Sequence, residues 1–377
     1  MPRKLPLLGV PQSGYAIERN VPPVDGFKRV RPWDVHRLKA ATRFALGKDI
    51  PLRDLFTWGR LSAPSVDVLH FFNTTSLGRT PWLVTYEGWL PRWGWDLPAD
   101  EVNRGLDCLM DDPCKGVIAF SQITESLLAN SFAAQGRERD FEEIASKRHV
   151  LYPPQPLLLP RQSPTGPIQC AFVGGDFYRK GGLETLQAFE RLFDAGLRDW
   201  QLTLVGRLDS WGDYASNTQR KDQQEAERIL HRCAANMQHH RALPNADIME
   251  LLSRSHYLFF PTFQDTFGYV TLEAMAAGCV PIATRSRSIP ELIEHGIHGF
   301  LIDVPVNAFG DAFRVISDER GKRILVNQLE VLLRELLQTD GTQWARWSAN
   351  GRERIREQHD PASHSEKLKE LYAAALS

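Results

Sequence analysis

The strongest constraint in this 377-residue chain is a rhythm that runs, stops at a cluster of prolines and starts again. Before the break, the apolar runs Val66–His70, Trp82–Tyr86, Gly116–Phe120 and His149–Tyr152 read as strands. Between them, the stretches around Asp100–Asp111 and Gln122–Phe132 read as helices. Strands separated by helices run parallel, because each helix carries the chain back across the sheet. The segment Tyr152–Pro167 holds Pro153, Pro154, Pro156, Pro160, Pro164 and Pro167. Proline offers no amide donor to a ladder or helix interior, so this segment is expected to link two domains.

Beyond the prolines the pattern restarts with a strand at Ile168–Val173, a helix with apolar Leu183, Leu186, Phe189, Leu192 and Phe193, and a strand at Gln201–Val205. Strands at Tyr257–Phe260 and Cys279–Ala283 bracket a helix at Tyr269–Ala277. Leu325, Leu329, Leu332, Leu333 and Leu336 recur at helical spacing and are expected to be core. The polar segment Trp211–Arg220 is expected to be an exposed loop. Two doubly wound domains also suit the length, since single cores stop growing at about 250–300 residues.

Lys and Arg (45) balance Asp and Glu (46), which predicts no nucleic-acid partner. The five cysteines are scattered without zinc-like spacing, so no metal site and a reducing cytoplasm are expected. No apolar run approaches the roughly 18–20 residues of a membrane span, and the N-terminus does not read as a signal peptide.

Chemistry concentrates between Phe259 and Pro281, where a strand, a short loop and a helix beginning near Gly268 place Asp265 before the helix and Glu273 inside it. A ligand lying across that helix start would meet both carboxylates, with the backbone around Thr266, Phe267 and Gly268 facing it. A helix dipole supplies only about half a charge, so a diphosphate needs side-chain cations as well. Arg179 and Lys180 qualify. They follow the strand Ile168–Val173 through the turn Gly174-Gly175, at the carboxyl edge of a parallel sheet where ligands bind. Taken singly, such glycines are ordinary turns and such charges ordinary solvated pairs; the joint spacing carries the functional reading.

The run Phe172–Gly182, followed by the Asp265-to-Glu273 segment, Ile289–Ile293 and Gly299–Ile302, resembles family 4 of the retaining glycosyltransferases over roughly residues 168–305. The resemblance implies an α/β GT-B fold: two Rossmann-like doubly wound domains facing a central cleft. Residues 1–160, joined by a C-terminal helix at about 358–377, would bind the acceptor, and 161–357 the nucleotide sugar. It implies that Lys180 holds the donor diphosphate, Glu273 the nucleotide ribose, and Asp265 the transferred sugar, with UDP-, GDP- or ADP-sugar as donor and no other cofactor. Two departures stand out. Asp265 replaces the commoner glutamate, and Gly175 lies where an arginine often follows the first glycine, a loss for which Arg179 is the candidate compensation.

The implied reaction is transfer of a hexosyl or related sugar to a saccharide, glycolipid or small-molecule hydroxyl, metal-independent and with retention. The rivals are a catalytically silent GT-B protein that binds a nucleotide sugar, a nucleotide-sugar epimerase, and a pyridoxal-phosphate phosphorylase for which the chain is short. On the acceptor side, Glu87 follows a strand at a position where family members often carry a histidine; a structural role for it is the competing reading. Trp89, Trp93 and Trp95 share one loop, placed for sugar stacking or a membrane interface, whereas Trp82 reads as core. From Lys28 to Arg60, nine basic residues against Asp34, Asp49 and Asp54 give 9 − 3 = +6, which suits either peripheral contact with an anionic membrane or an ordinary solvated helix face. The charged segment Trp344–Leu376 is helical in pattern.

Overall fold

A computed structural model of the chain describes residues 5–32, 66–92, 97–158, 166–212, 215–307, 309–312 and 318–377. They form two compact units: Met1–Pro154 with His359–Ser377, and Gln155–Gln358.

In the first unit, strands β1 (Leu7–Gly9), β2 (Lys28–Val30), β3 (Val68–Phe72), β4 (Trp82–Tyr86), β5 (Cys114–Ala119) and β6 (Arg148–Val150) make one sheet of order β2-β1-β3-β4-β5-β6. Every pairing is parallel. The connections include helices α1 (Tyr15–Asn20), α2 (Ala99–Met110), α3 (Gln122–Ala133) and α4 (Glu138–Glu143). Strand β4 is buried along its whole length, as a strand covered on both faces must be, and Trp82 is core.

The terminal helix Pro361–Ala375 closes this unit. Leu368 and Tyr372 are buried in one cluster with Leu8 and Ile118, and the Tyr372 hydroxyl lies 2.7 Å from His70 Nδ1. The segment Trp344–Leu376 is therefore two helices, broken where Pro361 takes the first helical position and the Asp360 carboxylate accepts the Ser363 amide at 2.8 Å.

In the second unit, β7 (Ile168–Val173), β8 (Trp200–Val205), β9 (Met237–His240), β10 (Tyr257–Phe260), β11 (Val280–Thr284) and β12 (Phe300–Ile302) form a parallel sheet of order β12-β11-β10-β7-β8-β9. Helices α5 (Gly182–Asp194), α6 (Arg220–Arg232), α7 (Asn245–Ser253), α8 (Tyr269–Ala277), α9 (Ile289–Leu292), α10 (Glu319–Leu336) and α11 (Gly341–Gln358) belong to it. Leu325, Leu329, Leu333 and Leu336 of α10 are buried in the core, with Leu332 partly buried against it.

The structure divides the chain at Pro154/Gln155 rather than at 160, and the reason is hydrogen bonding. The carbonyls of Pro153 and Pro154 lie 2.8 and 3.0 Å from His359 Nδ1 and Arg19 Nε, both in the first unit. Leu158, by contrast, donates its amide to Ala276 O in the second. The segment Trp211–Arg220 is not simply exposed: Ala215, Ser216 and Thr218 are buried, because the Gly212 amide bonds Thr218 O and folds the loop onto itself. The basic stretch opens with strand β2 and Arg29 paired to Glu18 at 2.8 Å, so it does not begin as a helix face. The rest of it from Trp33 onward, and Trp93 and Trp95, lie outside the described residues. No described helix is long and apolar enough to cross a membrane.

Candidate functional site

In the second unit the strand order reverses at β7, whose neighbours are β10 on one side and β8 on the other. The loops leaving the carboxyl ends of β7 and β10 diverge from this point, which in open parallel sheets is where ligands bind. The first loop carries Gly174 to Gly181, the second Pro261 to Gly268.

The two loops are stitched together by the Arg179 backbone. Its carbonyl accepts the Phe263 amide at 2.9 Å and the Thr262 hydroxyl at 3.2 Å. Gly181 makes the approach possible: it sits at φ +79°, and a Cβ there would lie 2.3 Å from Pro261 O. Gly174 is constrained from the other side, since a Cβ there would fall 2.7 Å from the Lys180 side chain lying over it.

So placed, Lys180 Nζ lies 2.5 Å from Asp265 Oδ2 and donates to Gln264 O at 3.1 Å. The Lys180 side chain is 12% and the Asp265 side chain 17% exposed. Burial alone would raise the Asp265 carboxyl. The Lys180 charge and hydrogen bonds from Lys180, Phe267 N and Gly268 N outweigh it and hold the carboxyl below its ordinary range. Asp265 thus stays ionised.

The backbone around Thr266, Phe267 and Gly268 was expected to face a ligand, but Asp265 has taken two of its amides. Its Oδ1 accepts Phe267 N at 3.0 Å and Gly268 N at 2.8 Å. A short acid two residues before the turn folds back on the following amides, as aspartates readily do. The Phe267 side chain is fully buried, and the Thr266 carbonyl accepts the Ser288 hydroxyl at 3.0 Å. Gly268, at φ +87°, starts α8, and Glu273 lies one turn inside it at 8% exposure.

Arg179 shares Gln264 O with its neighbour, its Nη1 donating there at 3.5 Å, but differs in its acidic partner. Its guanidinium bonds the Asp176 carboxylate, and that carboxylate also accepts Arg207 Nη2 at 3.1 Å. Burial works against the charged form of Asp176, yet the two arginines hold its carboxyl below the ordinary range. Sequence reasoning missed Asp176 and Arg207. The available signal was position: Gly206-Arg207 follows β8 as Gly174-Gly175 follows β7.

Glu87 lies in the first unit. Its Oε1 is 2.5 Å from Arg92 Nη1 and accepts Asn73 Nδ2 at 3.2 Å, while its amide donates to Asn73 Oδ1 at 3.0 Å. These bonds tie the ends of β3 and β4 together. Among the described residues no group of three or more His, Cys, Asp or Glu is arranged to hold a metal ion.

Comparison with known proteins finds these loops inside a stretch that is similar to a known family. Residues 160–327, somewhat under half the chain, match the family described as glycosyl transferases group 1. N-acetyl-alpha-D-glucosaminyl L-malate synthase of Bacillus anthracis is 37% identical over 75 residues, 19% of this chain and 20% of that protein. The chain therefore spans about a fifth of the length of that relative. Among solved structures, Anabaena Alr3699/HepE in complex with UDP superposes with a TM-score of 0.62 at 14% identity, covering 98% of this chain and 100% of that one. Sucrose-phosphate synthase from Thermosynechococcus elongatus superposes with a TM-score of 0.59 at 14% identity, covering 98% of each chain. Two parallel six-stranded sheets and these neighbours agree on an α/β fold of GT-B type, within which residues 160–327 are similar to the glycosyl transferases of group 1.

Proposed function

We propose that this protein is a retaining glycosyltransferase that moves a hexosyl or related sugar from a nucleotide sugar to a hydroxyl of a glycan, glycolipid or small molecule. The observation that carries the proposal is the Lys180–Asp265 pair at 2.5 Å, set between the two loops at the switch point of the sheet. An ammonium held there by an ionised carboxylate is a cation placed for a departing diphosphate, the charge that builds up as the sugar–phosphate bond breaks. Lys180 and Arg179 are assigned to the diphosphate, Asp265 to the sugar, and Glu273 to the nucleotide ribose. Side-chain cations meet the leaving-group charge in this scheme, so neither metal nor further cofactor takes part. The resemblance to family 4 supports front-face attack, in which a diphosphate oxygen takes the acceptor proton. The free, buried cysteines suit a cytoplasmic place of action. The basic residues between 28 and 60 extend the proposal to peripheral contact with an anionic membrane, and the acceptor belongs to polysaccharide or glycolipid synthesis.

The test begins with a thermal-shift panel of UDP, GDP, ADP and their sugar conjugates, since a ligand of the folded state alone raises the melting temperature. The UDP complex of the Anabaena neighbour makes UDP the first to try. A shift selective for one diphosphate and lost in Lys180→Ala supports the site. The anomeric configuration of the first product, read by NMR, then decides retention. Nucleotide binding without hydrolysis or transfer to any acceptor would favour the silent binder.

A further inference from the structure

Three cationic side chains converge on the turn after β7, and only two of them are neighbours in sequence. The third is Arg207. Its backbone amide and its Nε both donate to Gly175 O, at 3.4 and 3.3 Å, and its Nη2 to Asp176 Oδ1 at 3.1 Å. Asp176 uses its other oxygen for Arg179. One carboxylate therefore bridges two guanidinium groups on the rim of the loop that also carries Lys180.

This convergence is built into the strand ends. A Cβ on Gly206 would lie 2.4 Å from Gly174 O, so only glycine lets the end of β8 close against the turn after β7. That closure delivers the next residue, Arg207, over Gly175. Gly175 leaves the place open, since a Cβ built on it would meet nothing within 4 Å. The sequence thus combines a missing side chain at 175 with an arginine brought beside it from another strand.

The charges decide what such a rim can hold. Arg179, Lys180 and Arg207 face Asp176 and Asp265, which leaves an excess of positive charge. The Arg207 side chain is 51% exposed, so its remaining N–H donors stay open to a ligand without breaking the bond to Asp176. Planar guanidinium groups match phosphate oxygens two at a time.

We propose that Arg207 is a third cation of the donor's diphosphate site, held over the Gly174-Gly175 turn by Asp176. This rests on the reading of these loops as the donor site, and it assigns the compensation for Gly175 to Arg207, with Arg179 contributing from the far side of Asp176. As an exposed residue in a surface ion pair, Arg207 adds little to folding, so its substitution leaves the unit intact.

The test is isothermal titration calorimetry of the full chain with UDP, GDP and ADP and with the corresponding nucleosides, on wild type, Arg207→Ala and Arg207→Lys. For whichever diphosphate wild type binds, Arg207→Ala is expected to bind about tenfold or more weakly, Arg207→Lys to recover part of the loss, and the nucleoside to bind all three proteins alike. Diphosphate affinity in Arg207→Ala within about twofold of wild type overturns the role of Arg207 and leaves the donor site standing. Equal weakening of nucleoside and diphosphate also overturns it, because the effect would not be one of charge. Wild type that binds none of the three diphosphates overturns the donor site and this inference together.

Discussion

The pair Lys180–Asp265 can be tested by its energetics apart from any activity. Two unit charges about 4 Å apart interact by about 4 kcal/mol at an effective dielectric near 20. Desolvation opposes this gain, and removing one partner of a buried pair costs about 3–5 kcal/mol because the other charge is stranded. With 12% and 17% of the two side chains exposed, and with Asp265 keeping two backbone amides, the lower end applies. Lys180→Met is expected to destabilise the second unit by about 3 kcal/mol. Asp265→Asn retains an oxygen for the amides but leaves the ammonium with Gln264 O, and should cost a similar amount. The double variant strands no charge, so it should be less destabilised than the sum by about 2 kcal/mol. Calorimetry of the ligand-free protein at neutral pH reads this directly, at roughly 2–4 °C per kcal/mol for a unit of this size. The sign with pH is fixed as well. Because the Asp265 carboxyl is held below its ordinary value of 3.8, the stability it contributes is present above that pH and is lost as pH falls through its folded pKa. The Lys180→Met variant, which keeps only the amides of Phe267 and Gly268 on that carboxylate, should show a smaller acid-side loss. A coupling energy under about 0.5 kcal/mol would mean that the two residues are neighbours without being partners, against the Lys180–Asp265 pairing.

Gly181→Ala should destabilise the second unit by more than about 2 kcal/mol and abolish nucleotide thermal shifts, because it forces an L residue to φ +79° and a methyl group to within 2.3 Å of Pro261 O. Urea titration gives the first effect and the thermal-shift panel the second. Arg287, at φ 49°, pairs with Asp311 through Nε–Oδ1 at 2.5 Å and Nη2–Oδ2 at 2.7 Å, with 6% and 5% of the side chains exposed. Arg287→Ala should cost about 3–5 kcal/mol by stranding Asp311, and Arg287→Gly about 1 kcal/mol less, since glycine adopts that backbone freely; urea midpoints of the two variants decide it. Glu184 is buried at the start of α5, and burial, partly countered by Lys322, raises its carboxyl to about 7 from 4.5. A raised carboxyl stabilises the fold only while protonated, so wild type should lose about 3 kcal/mol as pH climbs from 4.5 to 7. Denaturation of Glu184→Gln across that range should lack this loss, and an equal slope in both proteins would remove Glu184 as its source.

Most of the scaffold could be read from the sequence because its signals are local. Strands β4, β7 and β10 lie where their apolar runs fall, since β4 and β10 are buried throughout and β7 at its centre, and such strands need nothing but a short hydrophobic segment to announce themselves. Strands β2 and β9 were not legible. Lys28–Val30 and Met237–His240 sit at sheet edges, where one neighbour suffices and polar side chains are tolerated, so no apolar run marks them. The helix α8 fell where its pattern predicts, at Tyr269–Ala277, because glycines in the left-handed region bound it at both ends.

The site divides along the same line. The placement of Lys180, Asp265 and Glu273 was readable from spacing within two segments, each a strand followed by a turn and a helix. What each group touches was decided by tertiary structure alone. Lys180 and Asp265 are 85 residues apart and meet because Gly181 lets one loop press on the other. Asp265 claims the amides of Phe267 and Gly268, and Asp176 claims Arg179 and Arg207, only once the strand order is fixed. Periodicity and turn chemistry are written along the chain, whereas charge pairing depends on which strand ends the fold makes adjacent, and in a doubly wound sheet that adjacency follows the topology, not the order of the residues.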